Sequence, residues 1–287
     1  MSGRLYTRKE CSYSDLKGVH ITGLKEMRKS PKHYKHRLAK PRKITNALAF
    51  GSAAHVAVLE PERFIRDYAI WESKYDHGGA RPRNGGAWEE FKKLNAGRSI
   101  ILDTEFDEAC AFKDAVRQDA VAMRYLATGR PEIAMTWKDA ETGVDCVGRI
   151  DWETKVDRHP AVVDLKSTRD AGETWFSRDV AKLDYHLQLA FYADGYQAIT
   201  GKMPRMVVVA VESVEPYDAV TYIVPEEVLE IGRDAYRELL IKFKQCTEAD
   251  EWPGQGGTEE KILQLPSWAV PEEESDDMSD LDWSESA

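Results

Sequence analysis

With 287 residues, 42% of them hydrophobic, the chain can bury a substantial core and is long enough for one large domain or one domain with additions. No apolar run approaches the roughly 20 residues needed to span a bilayer, and the start, MSGRLYTRKECSYSD, lacks the apolar stretch of a signal peptide. A cytoplasmic protein without membrane association is expected. The four cysteines, Cys11, Cys110, Cys146 and Cys246, never form a C-x-x-C pair, which argues against a zinc ribbon and a local iron–sulfur spacing and leaves reduced thiols.

The net charge of −10 hides an asymmetry. Residues 1–46 hold 13 Lys and Arg against Glu10, Asp15 and Glu26, whereas residues 272–287 hold eight acids and no Lys or Arg. A basic N-terminal segment is compatible with phosphate contacts whatever the total charge. It is equally compatible with a solvated surface rich in lysine.

In chain order, Ser30-Pro31 reads as an N-cap with proline in the first turn, opening a short basic helix over KHYKHRLAK. Residues 47–59 are small and apolar nearly all round, which predicts a buried helix ending near Pro61, with His55 inside it. KYDHGGARPRNGG, residues 74–86, predicts a loop, followed by helices at about 86–96 and 104–126. From Glu132 to Lys166 the composition and turn punctuation predict three successive strands. Helices are expected at 172–181 and 185–199, strands at 205–213 and 218–224, and a last helix from Pro225 to about Thr247. No internal repeat is present. Strands in the middle with helices on either side imply an α/β fold around a mixed sheet.

Within the strand VVDLKST, Asp164 and Lys166 share one face while Val163 and Leu165 share the other. The apolar surroundings predict a central strand, where a charged pair needs a partner or a function. Asp151, on the preceding strand, supplies a second carboxylate. Two carboxylates on neighbouring strands suit a hard divalent cation such as Mg²⁺ or Mn²⁺, and a lysine beside them can orient or deprotonate a water. That chemistry fits phosphodiester hydrolysis, although an Asp-x-Lys on a strand is also an ordinary ion pair. Downstream, YHLQLAFYADGY places Gln188 and Tyr192 on one helical face.

GSAAHVAVLEP, GRIDW, VVDLKST and LQLAFYADGY, in this order, resemble the PD-(D/E)XK nuclease superfamily. The set is most similar to the exodeoxyribonuclease VIII (RecE) type, with the RecB nuclease domain and phage lambda exonuclease as more distant relatives, over roughly residues 30–245. The resemblance implies a restriction-endonuclease-like core, a central mixed sheet flanked by helices. It implies a Mg²⁺-dependent nuclease, with Mn²⁺ as a substitute, acting on double-stranded DNA ends in the 5′ to 3′ direction. The 3′ single strand left behind would serve recombination through a single-strand annealing protein.

By position, the resemblance assigns His55, Asp151, Asp164 and the backbone carbonyl of Leu165 to the metal, with Glu132 as a looser match. It makes Lys166 the catalytic lysine, and Gln188 and Tyr192 the Q-x-x-x-Y motif. It further implies a ring-forming homo-oligomer, a trimer or tetramer, of phage or prophage origin in a bacterial host.

The expected organisation is a basic segment at 1–45, a nuclease domain at 46–250 and an extension at 251–287 whose acidic tail is compositionally disordered. Trp283, the one aromatic of that tail, suits a docking motif. Arg28, Lys29, Lys32, His33, Lys35 and Arg37 are the expected DNA contacts. The alternatives are a structure-specific or single-strand endonuclease of the same superfamily, and a non-catalytic DNA-binding or assembly module. The signature of the latter, a lost Asp or Lys, is not seen in this sequence.

Overall fold

The computed structural model describes residues 3–40, 46–74 and 79–256, together with 260, 262, 263 and 265; for 46–50 it describes the backbone alone. The chain divides into a unit Met1–Gly254 and a C-terminal stretch Gln255–Ala287. The acidic tail, with Trp283, lies outside the described residues.

In chain order the elements are β1 (Arg4–Tyr6), β2 (Val19–His20), α1 (Ile21–Leu24), α2 (Pro31–Ala39), α3 (Asn46–Leu59), α4 (Pro61–Asp67) and β3 (Tyr68–Trp71). Then come α5 (Gly85–Leu94), β4 (Ser99–Leu102), α6 (Asp103–Gln118), α7 (Ala120–Leu126), β5 (Arg130–Lys138), β6 (Asp145–Val156) and β7 (His159–Thr168). The chain continues through α8 (Glu173–Lys182), α9 (Tyr185–Thr200), β8 (Arg205–Glu212), β9 (Ala219–Ile223) and α10 (Glu226–Ala249).

The main sheet runs β1-β5-β6-β7-β8-β9, with β2 added on β6. β5, β6 and β7 form an antiparallel meander, and β7 pairs with β8 in parallel from Ala161↔Arg205 to Thr168↔Glu212. Parallel neighbours need a crossover, and α8 and α9 supply it. Because both faces of β7 and β8 are covered, MVVVAV in β8 reads as a continuous apolar run rather than an alternation.

Val162, Met206, Val208 and Ala210 pack with α9 and α10, while Ala161, Val163, Leu165, Val207, Val209 and Val211 pack with Ala54 of α3 and Phe112 and Val116 of α6. The architecture is therefore α/β, a mixed sheet between two helical layers. A third cluster, with Phe64, Ile101 and Ala109, joins α4 and α6 to the two-stranded sheet β3-β4.

The local signals act as expected at α2, where the Ser30 side chain accepts the His33 N–H and Pro31 occupies the first turn. The expected helix over 104–126 is instead two. Asp119 ends α6 in an extended conformation and caps α7, its Oδ1 accepting the Ala122 N–H. The strands β1, β2, β3 and β4 have no counterpart among the expected elements. Each has at most four residues, too few to display a period.

Candidate active site

β6 and β7 pair from Val156↔His159 to Trp152↔Val163 and then part, although both strands continue. The next residues on each strand are Asp151 and Asp164. In the opening, Asp151 Oδ2 accepts the Leu165 backbone N–H at 2.9 Å, so a carboxylate takes the donor that a continuing ladder would have used.

A second irregularity lies on the other side of β6. Ile150 packs in the α9-side core, but Trp152, two residues later, packs in the opposite core and donates its indole N–H to the Tyr125 carbonyl of α7. Regular alternation would put both on one face. The reversal falls at Asp151. Opposite it on β5, between the pairs Pro131↔Trp152 and Ile133↔Ile150, Glu132 has a left-handed φ of 53°. A left-handed non-glycine residue inside a strand is a local distortion of the kind that re-aims a side chain.

Asp164 is 1% exposed. Gln188 Nε2 donates to its Oδ1 at 3.1 Å, and the Lys166 ammonium forms an ion pair with its Oδ2. Lys166 Nζ also lies 4.6 Å from the centroid of the Tyr185 ring at the start of α9. His55, on α3, brings Nδ1 to 3.7 Å from Asp151 Oδ2. Tyr192, one turn beyond Gln188, lies against β6 at Gly148, where an added Cβ would come within 3.0 Å of Tyr192 Cε1. The glycine is needed for that approach. Gln188 and Tyr192 therefore both face the sheet from α9.

Burial, and then the charge of Asp164, push the Asp151 carboxyl up to about 7. Burial, and then the Lys166 charge, push the His55 imidazole down to about 4, so at neutral pH it is uncharged and keeps a nitrogen lone pair. Burial acts to lower the Lys166 pKa, but the charges of Asp164 and Asp151 outweigh it and the ammonium is held above its ordinary value. Glu132 is raised, first by burial and against the opposing charge of Arg149.

Two carboxylates thus face one ammonium, which leaves the group one positive charge short. A divalent cation fits this donor set in charge and in chemistry, with hard oxygens from Asp151 and Asp164 and a neutral imidazole from His55. Among the described residues, no three His, Cys, Asp or Glu side chains already stand in a ligating arrangement; the lysine rests on Asp164.

Glu132 is engaged by Arg8 at 3.0 Å and Arg149 at 2.9 Å, and borders a cleft of about 310 Å³ with Tyr13 and those two arginines. Of the expected DNA contacts, Arg28 pairs with Asp184, Lys29 with Glu26 at 3.2 Å, and Lys35 lies 3.8 Å from Asp250 and over the Trp252 ring. His33 Nδ1 bonds Ser30 Oγ at 2.7 Å. Lys32 and Arg37 have no ion-pair partner among the described residues.

Sequence reasoning missed Arg8, Tyr13, Lys25, Arg149 and Tyr185. Only Arg149, two residues before Asp151, had a local signal. Lys25 Nζ donates to the Leu183 carbonyl at 3.0 Å, and burial, then Lys166, lower its pKa to about 8.

A mixed sheet whose two central strands part to present two carboxylates and a lysine defines the class: a PD-(D/E)XK nuclease fold. The chain belongs to the family described as PDDEXK-like domain of unknown function (DUF3799), whose profile matches residues 20–264, and with it to the PD-(D/E)XK nuclease superfamily. No curated protein matches the chain.

Among solved structures, a candidate exonuclease from Eubacterium rectale superimposes with a TM-score of 0.59 at 16% identity, covering 92% of this chain and 96% of that one. At that identity the likeness is one of fold. A second solved structure, SSO0001, has a TM-score of 0.27 at 12% identity over 48% of this chain and 68% of its own, and carries no argument.

Proposed function

We propose that this chain is a Mg²⁺-dependent exodeoxyribonuclease that degrades linear double-stranded DNA from its ends, 5′ to 3′. It would leave 3′ single strands for a single-strand annealing protein. The observation that carries the hydrolytic reading is the grouping of Asp151, Asp164 and Lys166 where β6 and β7 part. The family and the fold likeness support a nuclease, and the resemblance of the four motifs to the exodeoxyribonuclease VIII type supports action at duplex ends.

In this reading Asp151 and Asp164 hold the cation, with His55 as the neutral third donor. When bound, a divalent cation polarises the scissile phosphate and lowers the pKa of an attacking water. Gln188 fixes the Asp164 carboxylate through Oδ1, leaving Oδ2 to face the reacting centre. Lys166, protonated at neutral pH, leaves Asp164 to orient the water and to stabilise charge developing on phosphate oxygens. The β6–Leu165 hydrogen bond keeps Asp151 beside Asp164 throughout.

The test is incubation with linear duplex labelled at the 5′ or the 3′ end, with and without Mg²⁺, beside closed circular duplex. Early release of the 5′ label from linear duplex alone, only with Mg²⁺, is expected. Equal cutting of the circle would replace this reading with an endonuclease.

A further inference from the structure

Two ammonium groups converge on the Tyr185 ring: Lys166 Nζ at 4.6 Å and Lys25 Nζ at 5.7 Å from its centroid. Lys25 reaches it from the N-terminal segment. Its neighbour Leu24 is fully buried, which fixes the backbone, and Nζ donates to the Leu183 carbonyl at 3.0 Å. The other cations nearby are balanced, Lys166 by Asp164 and Arg28 by Asp184. Lys25 has no carboxylate within ion-pair distance among the described residues.

An ammonium has three donors, and the Leu183 carbonyl takes one. Two like charges beside one ring repel each other, and Asp184 and Asp164, both already paired with other cations, draw on Lys25 only from beyond ion-pair distance. Tyr185 contributes an aromatic face to both, which holds the ammonium groups in place without neutralising either. Phosphate oxygens satisfy free N–H donors and charge together.

We propose that Lys25 is a substrate-positioning residue: its ammonium binds a non-bridging oxygen of the DNA phosphate next to the one being cleaved. Lys166 is committed to the reacting centre, where it orients the attacking water, so Lys25 serves the phosphate one step along the same strand. The inference rests on the nuclease reading above.

Fluorescence anisotropy in EDTA, with labelled duplexes carrying one neutral methylphosphonate at each terminal phosphate in turn, tests it. The parent protein should lose affinity for one position next to the cleaved linkage. Lys25→Met should bind unmodified duplex about tenfold more weakly, the scale of a lost hydrogen bond to a charged group. It should be indifferent to that same methylphosphonate and show a salt slope lower by about one unit. Lys25→Arg should regain the positional sensitivity, which a merely structural role would not restore.

A Lys25→Met protein with the parent's positional pattern overturns the proposal. So does uniform weakening at every position with a lowered melting temperature. Failure of the parent itself to bind duplex ends, in EDTA and also with Ca²⁺ in place of Mg²⁺, overturns the nuclease reading as well, and the parent control tells the two failures apart.

Discussion

Asp151 and Leu165 meet side chain to backbone, Oδ2 accepting the N–H at 2.9 Å, in the place where β6 and β7 cease to pair. This contact keeps a carboxylate with a pKa near 7 inside the protein, whereas an unfolded Asp titrates near 3.9. Between about pH 4 and 7 the folded, metal-free protein therefore binds more protons than the unfolded chain, and this group's contribution to stability falls as pH rises. His55 acts in the opposite sense. Its folded pKa of about 4 lies below the usual 6.5, so its contribution falls as pH drops from 6.5 towards 4.

In EDTA, Asp151→Asn should melt above the parent at pH 8, and the gap should close towards pH 5. Added Mg²⁺ should stabilise the parent and release protons near pH 6, but should do neither for Asp151→Asn. Scanning calorimetry and titration calorimetry in two buffers of different ionisation enthalpy measure both. A parent whose Mg²⁺ response is independent of pH between 6 and 8 contradicts this.

The Asp164 and Lys166 pair separates metal binding from catalysis. Asp164→Ala should lose Mn²⁺ binding and hydrolysis together, because a hard cation loses an anionic oxygen that no neighbour replaces. Lys166→Ala should keep Mn²⁺ and duplex ends while cutting slows by roughly 10²-fold or more. A structural ion pair predicts instead that activity falls only as far as folding does. Folded Asp164→Ala protein that degrades DNA near the parent rate would remove the assignment.

Gly148 admits the Tyr192 ring, with an added Cβ placed 3.0 Å from Cε1 and 3.3 Å from Met135 Cε. Gly148→Ala should cost about 1–3 kcal/mol through overpacking, or roughly 2–4 °C per kcal/mol for a chain of this size. Activity should drop with it, since the displaced turn of α9 also carries Gln188. Adding Tyr192→Leu to Gly148→Ala should recover part of the melting temperature; no recovery would place the strain elsewhere.

The basic N-terminal segment divides into balanced and unbalanced charges. Removing Arg28 together with Asp184 should leave the salt slope of DNA binding unchanged, because the pair is neutral as a unit. Removing Lys32 and Arg37 together should lower the slope by about two units. Equal slopes for the two double variants would mean that the segment does not contact DNA through its free charges.

The sequence alone determined the parts of the site that depend on short-range geometry. The two-residue period of a strand puts Asp164 and Lys166 on one face, and the four-residue spacing of a helix puts Gln188 and Tyr192 on one side of α9. Short β-branched and apolar runs bounded by turn residues predicted β5 through β9 in order, and β7 and β8, covered on both faces, read as near-continuous apolar runs.

What tertiary structure decided is everything that depends on one element meeting another. Nothing in GRIDW shows that alternation reverses at Asp151, where the residue opposite, Glu132 on a different strand, is left-handed. Lys25 and Arg8 look like any other basic residues of the N-terminal segment until its docking sets one beside Tyr185 and the other on Glu132. β1 and β2 are too short for a period and exist because β5 and β6 offer them open backbone groups. Local periodicity records which way a side chain faces, and only packing records what it faces.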